Sequence, residues 1–506
     1  MTHAFTLLLG SPVLVAVVLI AGIGGTFQYG FNISVLTSPS VYIKELVNRT
    51  CVERYGQSLE AWELSLIWSF TVSMYCIGGL FGSLGAGHLA AAYGRKRCLL
   101  LNNVVAICGA VLMLLSKTAQ SFEMIMAARF IYGINAGVAL TIHTMYVLEC
   151  TPKRLRGMVG VSIAGFVSLG KFFGQLLGIS EVMGTEDRWP FLLAFSGVVG
   201  FLQLATLPFL PESPRYLLLE RGDRQGCEKA LQQLLGPGGG LSVEAEVEDM
   251  QAEHLALRGV KSHSVLELLT SRSVRWQLLT IIITFTTLQL CGINAVYLYS
   301  FDVFRAAGIP DYNLRYAALG TGLCEICTTV ACGIMIESSG KRVLLIRGYL
   351  GMAAALLILT ITLYLQTYVS WMPYCSMVLI FTFIFFFSSG PAGVTAPLPG
   401  EIFSQSYKGA GFVVACTLNW AGLFFVGMVF PLIVEHLEYF CFLIFFFFCF
   451  CSGVFVWYAV PETRNRSAIE ISAEFDRMHS KGKTAPESKT NTIYLTHTQT
   501  GQATKL

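Results

Sequence analysis

The chain has 506 residues, of which 54% are hydrophobic and 13% are charged, and its mean hydropathy is +0.62. Soluble domains average about 25% charged residues, so this composition excludes an ordinary soluble protein and indicates a membrane protein. The formal net charge of +3 is small and argues against a nucleic-acid partner.

Apolar blocks follow one another along the chain, each about as long as the 20 or so residues that a helix needs to cross the hydrocarbon core. The first six are Val13–Leu36, Leu64–Leu84, Leu99–Leu115, Met124–Leu148, Met158–Ile179 and Phe191–Leu210. The last six are Val274–Tyr299, Tyr316–Ile336, Val343–Leu365, Met377–Ala396, Ala410–Val434 and Phe440–Val460. Because the runs are continuous rather than alternating, they predict an all-α integral membrane protein with twelve transmembrane helices rather than a barrel.

Two motifs occur once in each half at nearly equal intervals. Gly94-Arg95-Lys96 and Pro211-Glu212-Ser213-Pro214-Arg215 in the first half correspond to Gly340-Lys341-Arg342 and Pro461-Glu462-Thr463-Arg464 in the second. Two similar apolar halves predict a transporter whose substrate lies between them. The outer surface of such a transporter is in contact with the lipid bilayer. The predicted units are a six-helix bundle over residues 1–210, a cytoplasmic linker over 211–272, a second bundle over 273–464 and a largely disordered cytoplasmic tail over 465–506.

Basic residues are concentrated in the turns on one side, which the positive-inside rule places in the cytoplasm together with both termini. The opposite side carries the glycosylation sequon Asn48-Arg49-Thr50 in a predicted outer loop, although a chance sequon is the alternative. In the linker, Asp223–Leu235 and Glu244–Leu257 are typical of short amphipathic helices. The terminal Thr504-Lys505-Leu506 fits a domain that binds a C-terminal peptide, with an incidental tail as the alternative.

The run Gln289-Leu290-Cys291-Gly292-Ile293-Asn294-Ala295-Val296-Tyr297 resembles the signature of the facilitative hexose transporters, which are sugar porters of the major facilitator superfamily. The motifs around Arg129, Glu149, Pro211, Glu401 and Pro461 agree with it, and the resemblance extends from about Val13 to Phe475. Phe27-Gln28-Tyr29-Gly30-Phe31-Asn32 is similar to the fructose-transporter-like branch. The resemblance implies a pseudo-symmetric fold of six plus six helices and a monomer in the plasma membrane. It also implies passive transport of D-fructose and D-glucose without a cofactor.

The resemblance places five side chains around a central sugar cavity, namely Gln289, Asn294, Trp420, Tyr29 and Asn419. A hexose offers several hydroxyls and one mildly apolar ring face, which suit amides that both donate and accept and an aromatic platform. The alternative is that the buried amides only join one helix to another.

Two charges stand where relatives have other residues, Lys171 in the fifth helix and Glu325 in the eighth. A lone charge at a helix centre costs about 2.5–3.5 kcal/mol on insertion scales, so such residues normally find a partner. An ion pair at the substrate cavity is one prediction. The alternative is that Lys171 reaches water while Glu325 is protonated or bonds the backbone.

Gly390-Pro391 predicts a break in the tenth helix, which the resemblance assigns to gating, with a static kink as the alternative. The inner charges are predicted to form a latch between the two bundles, with Glu149 and Glu401 each seven residues before a basic residue. The alternative is that they only set the topology. The latch residues are Arg95, Glu149, Arg156, Glu337, Arg342, Glu401 and Lys408.

Three functions compete. Within the first predicted helix, the stretch Gly24–Leu36 contains no acidic residue, which favours a passive uniporter over a proton-coupled sugar symporter. A non-transporting sugar sensor is the third reading. The sequence contains no nucleophile–base set, metal cluster or phosphate loop, so an enzyme is not expected.

Overall fold

The computed structural model describes residues 2–152, 155–236, 243–335, 339–464, 466 and 468–480. The regular elements in these residues are helices. The first half contains α1 (Thr2–Leu9), α2 (Pro12–Gly24), α3 (Thr26–Ser34), α4 (Ser40–Tyr55), α5 (Ala61–Tyr93), α6 (Arg95–Thr118), α7 (Phe122–Cys150), α8 (Arg156–Leu177) and α9 (Trp189–Thr206).

Four short helices connect the halves: α10 (Pro214–Leu219), α11 (Arg224–Leu235), α12 (Val243–Leu257) and α13 (Val265–Thr270). The second half contains α14 (Arg275–Leu290), α15 (Ile293–Leu298), α16 (Ser300–Ala306), α17 (Leu314–Met335), α18 (Lys341–Leu365), α19 (Met372–Ser389), α20 (Pro391–Thr395), α21 (Leu398–Ile402), α22 (Gln405–Leu437) and α23 (Cys441–Ala459). A last helix, α24 (Ala468–His479), follows.

Ten helical stretches of the described residues are long and apolar enough to cross a membrane. One of them, Gln405–Ala459, contains both α22 and α23, and α17 is a further helix of 22 residues. Counted in this way, the helices match the predicted arrangement of six plus six, and the all-α membrane fold is confirmed.

Three of the spanning segments are interrupted at a glycine. Gly25 separates α2 from α3, Gly292 separates α14 from α15, and Gly390 separates α19 from α20. At Gly292 the backbone is left-handed, with φ at +90°, and an added Cβ would lie 2.5 Å from the Phe445 ring. At Gly390 an added Cβ would lie 2.4 Å from the carbonyl oxygen of Leu344. The predicted break at Gly390-Pro391 is therefore present, and its role as a gate stays a prediction.

Three connecting segments can be compared with the sequence prediction, and it is only partly met in them. The segment that carries Asn48, predicted as an outer loop, is the helix α4, and the Asn48 side chain accepts from the backbone N–H of Leu59 at 3.4 Å. The linker helices α11 and α12 are confirmed, and the shorter α10 and α13 flank them. The tail begins with α24, whose apolar face buries Ile471 and Phe475, so its first part is ordered. Residues 481–506, with Thr504-Lys505-Leu506, lie outside the described residues.

The two halves pack against each other along two helix pairs, α5 with α22 and α8 with α17. At the end of the first span that leads into α4, the Thr37 hydroxyl also donates to the carbonyl oxygens of Tyr297 at 3.0 Å and Leu298 at 3.1 Å. These contacts frame a central region in which side chains from both halves meet.

Candidate substrate site

Three predicted amides form a connected chain in the central region. Gln289 Nε2 donates to Asn419 Oδ1 at 2.7 Å, and Asn294 Nδ2 donates to Gln289 Oε1 at 2.5 Å. The break at Gly292 makes this possible, because it turns the start of α15 back toward the last turn of α14. Only 1% of Gln289 and 5% of Asn294 is exposed.

The amide chain retains hydrogen-bonding capacity. The two bonds occupy one N–H and one oxygen lone pair of Gln289, one N–H of Asn294 and one lone pair of Asn419. A primary amide has two N–H donors and two lone pairs, so each of the three keeps at least one donor and one acceptor. The arrangement thus joins helices, as the alternative reading predicted, and can still offer both kinds of group to a hydroxylated ligand.

The aromatic side chains Trp420 and Tyr29 lie in edge contact, with ring centroids 5.5 Å apart. Trp420 Nε1 donates to Ser83 Oγ at 2.9 Å, and the Tyr75 hydroxyl donates to the carbonyl oxygen of Tyr29 at 3.2 Å. An added Cβ at Gly79 would lie 2.3 Å from the Trp420 ring. Trp420 of the second half is therefore seated on α5 and α3 of the first.

Lys171 and Glu325 form the predicted ion pair, in which Lys171 Nζ lies 3.1 Å from Glu325 Oε1 and 3.4 Å from Oε2. Lys171 is 4% exposed and Glu325 is 3% exposed, so the alternative in which Lys171 reaches water is wrong for this conformation. The ammonium also lies 4.5 Å from the centre of the Tyr297 ring. Contact between this pair and a substrate stays a prediction.

At the turn between α5 and α6, the charges of the first half form a compact cluster. Arg95 donates to Glu149 at 2.9 Å and to Glu220 at 2.9 Å, and the Ser213 hydroxyl donates to Glu149 at 2.5 Å. The Glu212 carboxylate accepts the backbone N–H of Lys96 at 3.0 Å, at the start of α6. Negative charge at a helix N-terminus is favourable, so Glu212 stabilises this helix end.

The second half repeats the cluster with equivalent residues. Lys341 forms an ion pair with Glu401, and the Thr463 hydroxyl donates to Glu401 at 3.2 Å. The Glu462 carboxylate accepts the backbone N–H of Lys341 at 2.9 Å. An added Cβ at Gly340 would lie 2.0 Å from Glu462 Oε2, which explains the glycine in this motif.

Glu149 and Glu401 do not pair with the basic residues that follow them by seven positions, Arg156 and Lys408, in the described part of the chain. Arg156 Nε instead donates to the carbonyl oxygen of Thr151 at 3.3 Å, and Lys408 has no carboxylate partner among the described residues. The reason is that α6 and α7 are neighbouring antiparallel helices, so the first residue of α6 lies beside the last turn of α7.

The predicted bridging of the two bundles is not seen in this conformation. Within the described part of the chain, the latch residues contact partners in their own half. Arg342, for example, donates to the carbonyl oxygens of Val460 at 2.9 Å and Trp457 at 2.6 Å. Glu337 lies outside the described residues. A latch between the halves in another conformation stays a prediction.

Replacing Glu401 by glutamine is expected to lower the stability of the protein by about 1 kcal/mol, because the lost ion pair with Lys341 is only partly shielded from water. Lys408→Gln is the matched control and should leave thermal stability unchanged. Differential scanning fluorimetry in detergent measures both. Equal losses in the two variants would show that general charge, rather than the cluster, sets the stability of this end.

Comparison with known proteins extends these observations. Residues 17–475 match the family described as Sugar (and other) transporter. Mouse solute carrier family 2, facilitated glucose transporter member 9 is 44% identical over 462 residues, covering 91% of this chain and 85% of that protein. Human member 11 is 42% identical over 477 residues, with 94% and 96% covered, and human member 5 is 39% identical over 477 residues, with 94% and 95% covered.

The fold is shown independently by solved structures. The xylose transporter XylE from E. coli, in a partially occluded inward open conformation, superimposes with a TM-score of 0.74 at 21% identity, covering 90% of this chain and 100% of that one. The MFS proton:xylose symporter XylE bound to 6-bromo-6-deoxy-D-glucose gives 0.73 at 21% identity, covering 92% and 99%. With its repeated halves, its amide-lined centre and relatives that match over nearly their whole length, the chain belongs to the sugar transporter family and adopts the major facilitator fold.

Proposed function

We propose that the chain is a passive uniporter that carries hexoses, D-fructose and D-glucose, across the plasma membrane by alternating access. The observation that supports it most strongly is the buried amide chain of Asn419, Gln289 and Asn294 between the two halves. Relatives of this chain are named facilitated glucose transporters, and an uncharged, donor-and-acceptor site suits an uncharged polyhydroxyl substrate.

The broken seventh span gives the site a movable wall. The segment α15 has six residues, begins after the left-handed Gly292 and ends at Tyr299, whose φ of −126° and ψ of 40° are not helical. Its outer end is held by the Thr37 hydroxyl of the first half. Separation of these groups would open the site outward, while the amide of Asn294 would move with α15.

The alternative of a proton-coupled symporter needs a carboxylate that can take up and release a proton near the substrate. Glu325 is the acidic candidate from the sequence, and both of its oxygens lie within 3.4 Å of the Lys171 ammonium. In this conformation the Glu325 carboxylate is engaged by the ammonium and is 3% exposed, so it does not face an aqueous route along which protons could enter and leave. The pair therefore supports uniport.

Counterflow in proteoliposomes tests the transport function and separates it from a non-transporting sensor. Vesicles loaded with unlabelled fructose or glucose should take up external labelled hexose faster than empty vesicles. Protein-free vesicles and L-glucose serve as controls. Hexose binding without counterflow would establish the sensor reading.

Gln289→Ala and Asn294→Ala should each weaken hexose binding several-fold to about tenfold, since each removes an amide hydrogen bond worth on the order of 1 kcal/mol. Asn103→Ala is the matched control, because its buried amide donates to Gln203 Oε1 at 2.8 Å inside the first half, away from the amide chain. It should change stability but not affinity. Unchanged affinity in correctly folded Gln289 and Asn294 variants would assign both residues to helix packing.

The orientation in the membrane and the position of the glycosylation sequon are proposed from the positions of the basic turns. The basic turns at Arg95 and Lys341 support cytoplasmic termini, and α4 with its Asn48 sequon then lies outside. Glycosylation at Asn48, a monomeric state and recognition of the C-terminal peptide remain predictions. Enzymatic deglycosylation followed by gel mobility, compared with Asn48→Gln, tests the first.

A further inference from the structure

The helices α8 and α17, which belong to different halves, are joined by a ladder of three polar pairs. The side chains recur at one-turn or two-turn spacing, so each set faces its partner helix. The rungs are Ser168 with Thr329 at 3.1 Å, Lys171 with Glu325 at 3.1 Å, and Gln175 with Thr321 at 3.0 Å. These six side chains are 9% exposed or less.

The central rung differs from its neighbours. Hydroxyl and amide groups already join the helices above and below it, so adhesion between the halves does not require a buried ion pair. Burying two charges costs several kcal/mol per ion before their attraction and hydrogen bonds are counted. A contact beyond adhesion is therefore to be expected of Lys171 and Glu325, and the structure shows one.

That contact is with Tyr297, a fully buried residue on α15. The Lys171 ammonium lies 4.5 Å from the centre of its ring, and the Tyr297 hydroxyl donates to the carbonyl oxygen of Thr321 at 3.3 Å. A desolvated cation and an aromatic face attract each other, so the Lys171 ammonium stabilises the position of the Tyr297 ring. The Glu325 carboxylate in turn holds the ammonium in place. Tyr297 is thus held by side-chain and backbone groups from both halves.

Tyr297 lies three residues after Asn294, which places the two residues about one turn apart on the same side of α15. This segment has only six residues and is interrupted at both ends. The orientation of Asn294 therefore depends on what holds the rest of α15. The Tyr297 ring is one such attachment, and the Thr37 hydrogen bonds to the carbonyl oxygens of Tyr297 and Leu298 are another.

We propose that Lys171, held in place by Glu325, is a positioning residue for the hexose site. Its ammonium fixes the Tyr297 ring, the ring fixes the orientation of α15, and α15 presents the amide of Asn294 to the sugar. The proposal rests on the hexose transport function and extends it to a specific effect on apparent affinity.

The test compares variants by the KM and the maximal rate of hexose uptake in proteoliposomes, normalised to reconstituted protein. Lys171→Met with Glu325→Gln removes the cation without leaving a lone charge. Tyr297→Leu removes the ring, whereas Tyr297→Phe keeps the ring and removes only the hydroxyl. Ser168→Ala removes an end rung of the ladder, whose hydroxyl partners among the described residues are Thr329 and the carbonyl oxygen of Ala164 rather than Tyr297.

The neutral-pair variant and Tyr297→Leu are expected to raise KM about three- to tenfold, less than the roughly thirtyfold that full loss of a desolvated cation–π contact could give, because the Thr37 hydrogen bonds still hold α15. Combining them should add little further, because both act through the same contact. Tyr297→Phe and Ser168→Ala should keep KM within about twofold of wild type, and Lys171→Arg should also retain it.

Several results would overturn the positioning role. These are a wild-type KM in both the neutral-pair variant and Tyr297→Leu, fully additive effects of the two, or an equal rise in Ser168→Ala. If the neutral-pair variant is not recovered folded, Tyr297→Leu against Tyr297→Phe decides the question. Absence of saturable hexose uptake by wild type would instead contradict the transport function itself, so the two failures are distinguishable.

Discussion

Lys171→Met or Glu325→Gln alone is expected to lower the stability of the folded protein by about 3–5 kcal/mol, because each leaves an uncompensated charge in a buried site. The surviving group is shielded from water, since both residues are 4% exposed or less. Transport should fall with stability, unless the survivor changes its protonation. The double variant, Lys171→Met with Glu325→Gln, should recover much of the stability because no lone charge remains.

A double-mutant cycle on thermal unfolding in detergent measures this coupling. Arg305 and Asp302 provide the control, because they form an ion pair at 3.4 Å on an exposed surface. Neutralising either of those should cost less than about 1 kcal/mol. Strictly additive losses for Lys171 and Glu325 would contradict the account and would make Glu325 a better candidate for a proton site.

Gly292→Ala is expected to abolish most hexose transport. A non-glycine residue at a φ of +90° costs about 1–3 kcal/mol of backbone strain, and the new methyl group would also lie 2.5 Å from Phe445. The chain would relieve both by moving the start of α15, which would separate Asn294 from Gln289. The measurement is counterflow, together with surface expression and thermal stability of the same variant.

Gly165→Ala is the matched control, because an added Cβ there meets no atom within 4 Å among the described residues. It should transport like wild type and be as stable or slightly more stable, since alanine is the better helix former. Wild-type transport and KM in Gly292→Ala would mean that the break in the seventh span does not set the geometry of the site.

Much of the architecture could be predicted because hydrocarbon imposes a simple rule on sequence. Each span must be long and apolar, and the described helices follow the predicted blocks. The break at Gly390 was also predicted, since glycine and proline weaken a helix locally. The break at Gly25 was missed, because one glycine among several in an apolar run carries no distinct signal.

The charges show where sequence reasoning succeeds and where it fails. Lys171 and Glu325 were predicted to meet because a buried charge needs a partner, and the ion pair is confirmed. Glu149 was noted for the basic residue seven positions later and was predicted to bridge the two bundles, whereas its partner is Arg95 on a neighbouring antiparallel helix of the same half. Spacing along the chain does not reveal which helix ends adjoin, so this pairing required the structure.

Within the candidate site, the amide side chains were predicted, but the serine that holds the neighbouring Trp420 indole was not. The resemblance placed Gln289, Asn294 and Asn419 around one cavity, and the structure brings them together. Ser83, which accepts from the Trp420 indole, was missed. Serine is common in transmembrane helices, where its hydroxyl can bond its own backbone, so it carries little information by itself.

Passive uniport is tested most directly by uptake of labelled fructose and glucose into proteoliposomes, with and without an imposed proton gradient. A passive uniporter should show saturable uptake that stops when internal and external hexose concentrations are equal, at the same level whether or not the gradient is present. Accumulation above the external concentration under an inward proton gradient, abolished by a protonophore, would contradict passive uniport.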